Sequence, residues 1–186
     1  MLKEAEVKEE IVYFEESGEK NTGEVLRLVK ERASARRIEK VILASTRGNT
    51  ARLAMEAFAN TDIRLIVIPW QFGFADTQPF PMELAAELQA KGHRVHFGSM
   101  LFHTEDFYGS RAPRAMANIL RVFCQGIKVC AEILLMAADG GLAAAGEKVI
   151  AVAGTGSGAD TAVLAVAAPS TKLAKLHISE IICKPL

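Results

Sequence analysis

Apolar residues fall into short runs along the chain, separated by longer stretches with helical periodicity. Residues 11–14, IVYF, form the first run and suit a buried strand. In the segment that follows, Asn21 or Thr22 can cap a helix and Glu24 falls in its first turn, with Val25, Leu28 and Val29 recurring at helical spacing. The unit then repeats. KVILAS (40–45) predicts a second strand and Asn49 to Phe58 a helix; RLIVIPW (64–70) predicts a third strand. The glycine- and aromatic-rich loop QFGFADTQPFP leads to a helix from near Met82 to Gly92, and RVHFGS (94–99) predicts a fourth strand. Residues 100–114 read as a long loop holding His103. Pro113 opens a helix, and the helical pattern of 115–139 allows a break at Gly126. KVIAVAG (148–154) and TAVLAVA (161–167) predict two strands joined by TGSGAD, with IICKP (181–185) as the last. Strands alternating with helices predict one α/β domain over residues 1–186, a three-layer α/β/α arrangement around a mostly parallel mixed sheet.

Composition narrows the function classes. The 186 residues carry 22 Lys+Arg against 22 Asp+Glu, and this zero net charge gives no basic field for nucleic acid or an anionic membrane. The N-terminus, MLKEAEVKEE, lacks the apolar core of a signal peptide. Residues 126–146 are interrupted by Lys128, Glu132 and Asp139, too polar for a typical membrane span. Cys124, Cys130 and Cys183 form no C-x-x-C pair and are expected to be reduced thiols of a cytoplasmic protein. The four histidines show no metal-ligand spacing, so no metal is expected.

Two loops draw attention. ASTRGNTA (44–51) leaves a strand through six polar or glycine residues and turns at once into a helix. A helix N-terminus has unsatisfied N–H groups and the positive end of the dipole, which favour an anion. Gly48 allows a close backbone approach or a positive φ. Ser45, Thr46, Asn49 and Thr50 add polar side chains, and Arg47 adds a charge. The alternative is a helix cap, since Asn49 or Thr50 alone would serve; spacing leaves both readings open. The second loop, AGTGSGADTA (153–162), contains G-x-G-x-x-A after a strand, but AVLAVAAP follows it, which suits a strand rather than the helix a dinucleotide fingerprint requires. It echoes the first loop, and two such loops at one end of a sheet could grip a phosphate from two sides.

Glu132, Met136 and Asp139 share one face of the helix VCAEILLMAADGG. Carboxylates in so apolar a helix must be paired, capped or functional. The preferred reading pairs Glu132 with neighbouring backbone or Lys128 and leaves Asp139 to solvent. A general acid or base is the alternative.

The series KVILASTRGNTARLAMEAF, IRLIVIPW and VAGTGSGADTAVLAV resembles the C-terminal domain of pyruvate kinase, in which such loops hold a sugar-phosphate effector. The barrel that carries pyruvate kinase activity has no counterpart, so that activity is not expected. KNTGEVLRLVKERA, KVCAEILLMAADGG, GADTAV and EIICKP are more similar still to a family of small stand-alone prokaryotic proteins of this fold, associated with flavin mononucleotide (FMN) and with no established reaction. The resemblance implies a phosphorylated small-molecule ligand, FMN foremost. Ser45, Thr46, Arg47, Gly48, Asn49 and Thr50 would surround its phosphate, and Gly154, Thr155, Gly156, Ser157, Gly158 and Asp160 would close nearby. Trp70 with Gln71, Phe72, Gly73 and Phe74 would lie beside the ring. Two other functions remain open: a flavin-dependent oxidoreductase in which Glu132, Asp139 or His103 moves protons, and a regulatory module sensing a sugar phosphate. Oligomeric state and substrate are not legible.

Overall fold

The computed structural model describes residues 6–186. Seven strands form one sheet: β1 (Val12–Phe14), β2 (Lys40–Ala44), β3 (Arg64–Ile68), β4 (Arg94–Val95), β5 (Lys148–Ala153), β6 (Thr161–Val166) and β7 (His177–Pro185). Their order is β1-β7-β6-β5-β2-β3-β4, and every neighbouring pair is parallel except the two made by β6. Six strands therefore run one way and β6 alone returns, joined to β5 by the loop 154–160. The expected mostly parallel mixed sheet is present.

The central strands are buried on both faces, and their alternating side chains feed two cores. Val41, Leu43, Leu65, Val67, Ile150 and Val152 point to one side, where α1 (Thr22–Arg36), α2 (Asn49–Ala57) and α3 (Met82–Ala90) pack with Val29, Ala54 and Leu84. Ile42, Ile66, Val149 and Ala151 point to the other, against Cys130, Ile133, Leu134 and Ala137 of α6 (Gln125–Asp139). Outside α6 lie α4 (Glu105–Tyr108) and α5 (Ala112–Arg121), the latter packed on α6 through Ala117. Three layers result. Among the described residues no helix is long and apolar enough to cross a membrane.

Several element boundaries differ from expectation. The fourth strand is two residues long rather than RVHFGS, because after His96 donates to the Val67 carbonyl at 3.0 Å the chain leaves the edge and Gln71 Oε1 takes the Met100 N–H at 2.6 Å. Residues 100–114 are not one loop: a 3-10 turn at Leu101–His103, then α4 and the start of α5, lie within them. The helix break falls at residues 122–124 rather than at Gly126. Gly126 is inside α6 and serves packing: a Cβ there would lie 2.0 Å from Thr161 Oγ1 and 2.4 Å from Thr161 Cβ. The last strand begins at His177, four residues before Ile181. Of the three thiols, Cys130 and Cys183 are buried and Cys124 is partly so; burial pushes Cys130 up and Cys183 up to about 12.

Gly126→Ala sets two effects against each other. Alanine gains up to about 1 kcal/mol of helix propensity over glycine. Forcing a methyl into a closed contact costs roughly 1–3 kcal/mol. The neighbour is the branched carbon of Thr161 on a central strand, so packing wins and the urea midpoint should fall. A midpoint at or above wild type would show that β6 and α6 can part without cost.

Candidate functional site

All parallel strands deliver their following loops to one end of the sheet, where a ligand crevice is expected in open α/β folds. A cavity of about 310 Å³ lies there, at the lower end of the roughly 300–1,000 Å³ of small-molecule sites. Its wall draws on the β2–α2 loop, the end of β3, the segment around Met100 and His103, the first three turns of α6, and the β5–β6 loop.

The β2–α2 loop is held from behind. Ser45 N–H donates to the Ile68 carbonyl at 3.2 Å, and Ser45 Oγ takes the Ala51 N–H at 3.2 Å. Gly48 caps α2 with φ 87° and accepts from Arg52 N–H at 3.0 Å. Ser45, not Asn49 or Thr50, is thus the side chain that serves the helix start. Among the described residues no acceptor meets the N–H groups of residues 46–50. These donors sit at the positive end of α2, and Arg47 is exposed beside them without a carboxylate partner among the described residues. Thr46, Arg47, Asn49 and Thr50 line the cavity, as does Ser45. Gly48 does not: a Cβ there would meet Leu84 Cδ2 at 2.6 Å and Pro81 Cδ at 3.3 Å, so its bare side faces α3. Its missing side chain serves the left-handed turn and the packing behind it, rather than clearing space on the cavity side.

Across the opening, Gly154, Gly156, Ser157 and Gly158 line the cavity, while Thr155 and Asp160 stand behind. Asp160 has no exposed surface. Its Oδ2 accepts from Gly18 N–H at 2.9 Å and Thr155 N–H at 3.0 Å, and its Oδ1 from Thr161 Oγ1 at 2.7 Å. A second tie joins Ala159 N–H to Thr22 Oγ1 at 2.9 Å, and a third Ser157 Oγ to Glu19 Oε2 at 2.9 Å. Asp160 therefore shapes the loop rather than facing a ligand. Glu19 also lines the cavity, and it is exposed and so screened by solvent.

The aromatic segment divides. Trp70 and Phe74 line the cavity with ring centroids 5.0 Å apart, and His103 stands 5.2 Å from Phe74. Gln71, Phe72 and Gly73 do not line it. Gln71 holds Met100, Phe72 is exposed with its ring 4.8 Å from Phe97, and Gly73 makes a turn at φ 79°.

Of the α6 wall the sequence pointed only to Glu132, as a proton carrier in the alternative reading; Gln125, Lys128, Val129, Ile133 and Met136 line the cavity with it. Lys128 Nζ donates to Glu132 Oε2 at 2.6 Å, both side chains almost wholly buried. Glu132 Oε1 also accepts from Phe102 N–H at 2.9 Å and lies 3.3 Å from His103 Nδ1. The expected pairing of Glu132 with Lys128 and nearby backbone is present. Desolvation lowers the Lys128 pKa from its ordinary value, outweighing the charge and hydrogen bond of Glu132. Asp139 is exposed, away from the cavity, and takes the Ser170 N–H at 2.8 Å. The available signal was an i, i+4 ion pair in an otherwise apolar helix. Among the described residues no His, Cys, Asp and Glu cluster could hold a metal.

No family model matches the sequence. The chain is similar to part of a crystal structure of pyruvate kinase from Cryptosporidium parvum, at 18% identity and a TM-score of 0.44, over 79% of this chain and 23% of that one. A structure of C. parvum pyruvate kinase in complex with ADP gives 19% identity and a TM-score of 0.41, over 78% and 23%. The chain thus spans about a quarter of the length of these enzymes.

Removing the Asp160 carboxylate should loosen both loops it ties. Each buried N–H left without an acceptor costs about 1–3 kcal/mol, so Asp160→Ala should lower stability by a few kcal/mol. Asp160→Asn, which keeps one acceptor oxygen, should lose less. Urea denaturation checks both, and an Asp160→Ala midpoint equal to wild type would contradict the structural role.

Proposed function

We propose that the cavity binds a phosphorylated small molecule, and that this ligand is FMN. The observation that supports it is the run of N–H groups at residues 46–50, which have no protein acceptor among the described residues and belong to a loop that lines, with a second glycine-rich loop, one cavity. Buried or half-buried backbone donors are normally paired, so their satisfaction is left to a ligand or to water. The donor set suits a phosphate: backbone amides at a helix N-terminus, threonine hydroxyls and a free guanidinium. Beyond it the wall turns apolar and aromatic with Trp70, Phe74, Met100, Val129, Ile133 and Met136, which matches a flat ring system. The residues present therefore fit both ends of FMN. Bound there, the flavin would supply hydride or electron transfer, while the chain would anchor the phosphate and shield the ring.

One observation favours a second reading, a flavin-dependent oxidoreductase: His103 Nδ1 lies 3.3 Å from Glu132 Oε1, and both line the cavity. That pair could hold or pass a proton beside the ring.

Comparing FMN with riboflavin, the same ring without phosphate, tests the primary reading. Hydrogen bonds to a charged group contribute roughly 1.5–3 kcal/mol each. Losing two should weaken binding by about a hundredfold or more. Titration by flavin fluorescence should show that gap, and added salt should narrow it only in part. Equal affinities would mean that the apolar wall, not the cradle, carries the binding.

A further inference from the structure

α6 meets the sheet with apolar side chains, and the Lys128–Glu132 pair lies instead on its cavity side. A buried ion pair is often no more stabilising than apolar residues of similar volume. Its position on the cavity wall gives it another use. Both Glu132 oxygens are engaged: one takes Lys128, and the other takes Phe102 N–H and faces His103. Lys128 is not fully engaged. An ammonium has three N–H donors and no acceptor capacity. Among the described residues only Glu132 accepts from Lys128, with the Phe102 ring centroid 5.4 Å away, yet Lys128 is 2% exposed. One turn earlier, Gln125 also lines the cavity; its Oε1 accepts from Arg121 Nε at 2.7 Å, and its amide N–H groups meet no acceptor among the described residues.

We propose that Lys128 is a second anchor of the cavity, donating with Gln125 to a carbonyl-type oxygen at the end of the ligand remote from its phosphate. This inference rests on the phosphate-ester reading of the cradle and narrows the ligand class. The far end must offer an acceptor, because Lys128 can only donate and Glu132 takes one of its three N–H groups. A phosphate ester ending in an alkyl group or an amine would leave these donors unmet. On a flavin, the matching group is the carbonyl edge of the pyrimidine ring. A cation held against that edge favours the negative charge acquired on reduction, which is one way a protein tunes this cofactor. Glu132 positions the ammonium, and its charge and hydrogen bond oppose part of the lowering that desolvation imposes.

The test uses Lys128→Met and, to avoid leaving a buried carboxylate unpaired, Lys128→Met combined with Glu132→Met. Both are titrated with FMN and with riboflavin. The two ligands should lose affinity by a similar factor, about tenfold or more, because the lost bond belongs to the ring end. The midpoint potential of bound FMN should also move to more negative values. A folded variant that binds riboflavin as tightly as wild type, at an unchanged FMN potential, would overturn the proposal. If the wild-type protein binds neither flavin, the flavin reading fails on its own. The anchor is then tested by calorimetry with 6-phosphogluconate and glucitol 6-phosphate, which share a phosphate and a six-carbon chain but differ in a carboxylate at the far end. A wild-type preference for the carboxylate that disappears in both variants supports the anchor. Equal binding, or none, overturns it.

Discussion

A strand-to-helix turn that ends in a left-handed glycine, with the helix starting at the next residue, exposes a row of backbone N–H groups. At the β2–α2 turn those of residues 46–50 find no acceptor among the described residues. Much around them keeps that geometry in place. Ser45 ties the turn to β3 and to α2, Leu84 and Pro81 fill the space behind Gly48, and the parallel register of β2 with β3 and β5 fixes the opposing loops. Helix dipole and unsatisfied donors act in the same direction, so the turn is electropositive although the protein has no net charge.

The opposite rim is built by a buried carboxylate. Asp160 gathers donors from Gly18, Thr155 and Thr161, and so joins the loop after β1, the loop after β5 and the first residue of β6. A loop with three glycines would otherwise be mobile at high entropic cost to any ligand it closes on. Thr22 adds a bond from the first turn of α1. The third wall, α6, is different in kind. It is a core helix whose cavity-facing side carries an ion pair, and stability alone does not account for it.

Much of this was legible in the sequence. KVIL, RLIVI, KVIAVA and TAVLAV are β-branched runs buried on both faces, and no other element suits them. The two loops were identified by their glycines and hydroxyls at strand ends. Edges were harder to read. RVHFGS has strand composition, but an edge strand lasts only as long as its partner offers bonds, and here a side chain, Gln71, draws the chain away. Gln71, Phe72 and Asp160 were assigned to the ligand because they sit among lining residues in the sequence. In these loops the side chains turn to the scaffold instead: Gln71 to Met100, Phe72 to Phe97, and Asp160 to Gly18 and Thr155. Lys128 went unassigned because an i, i+4 ion pair looks the same on a solvated helix and on a cavity wall.

The central claim is that the amides of residues 46–50 meet a phosphate. A backbone-amide NMR titration with inorganic phosphate tests it most directly, since phosphate has no ring to shift nearby signals through space. The expected result is saturable movement of the amides of Thr46, Arg47, Gly48, Asn49 and Thr50, larger than elsewhere in the protein, with smaller changes in Gly154 to Gly158 opposite. Still amides at residues 46–50, with shifts centred on any other part of the surface, would contradict it.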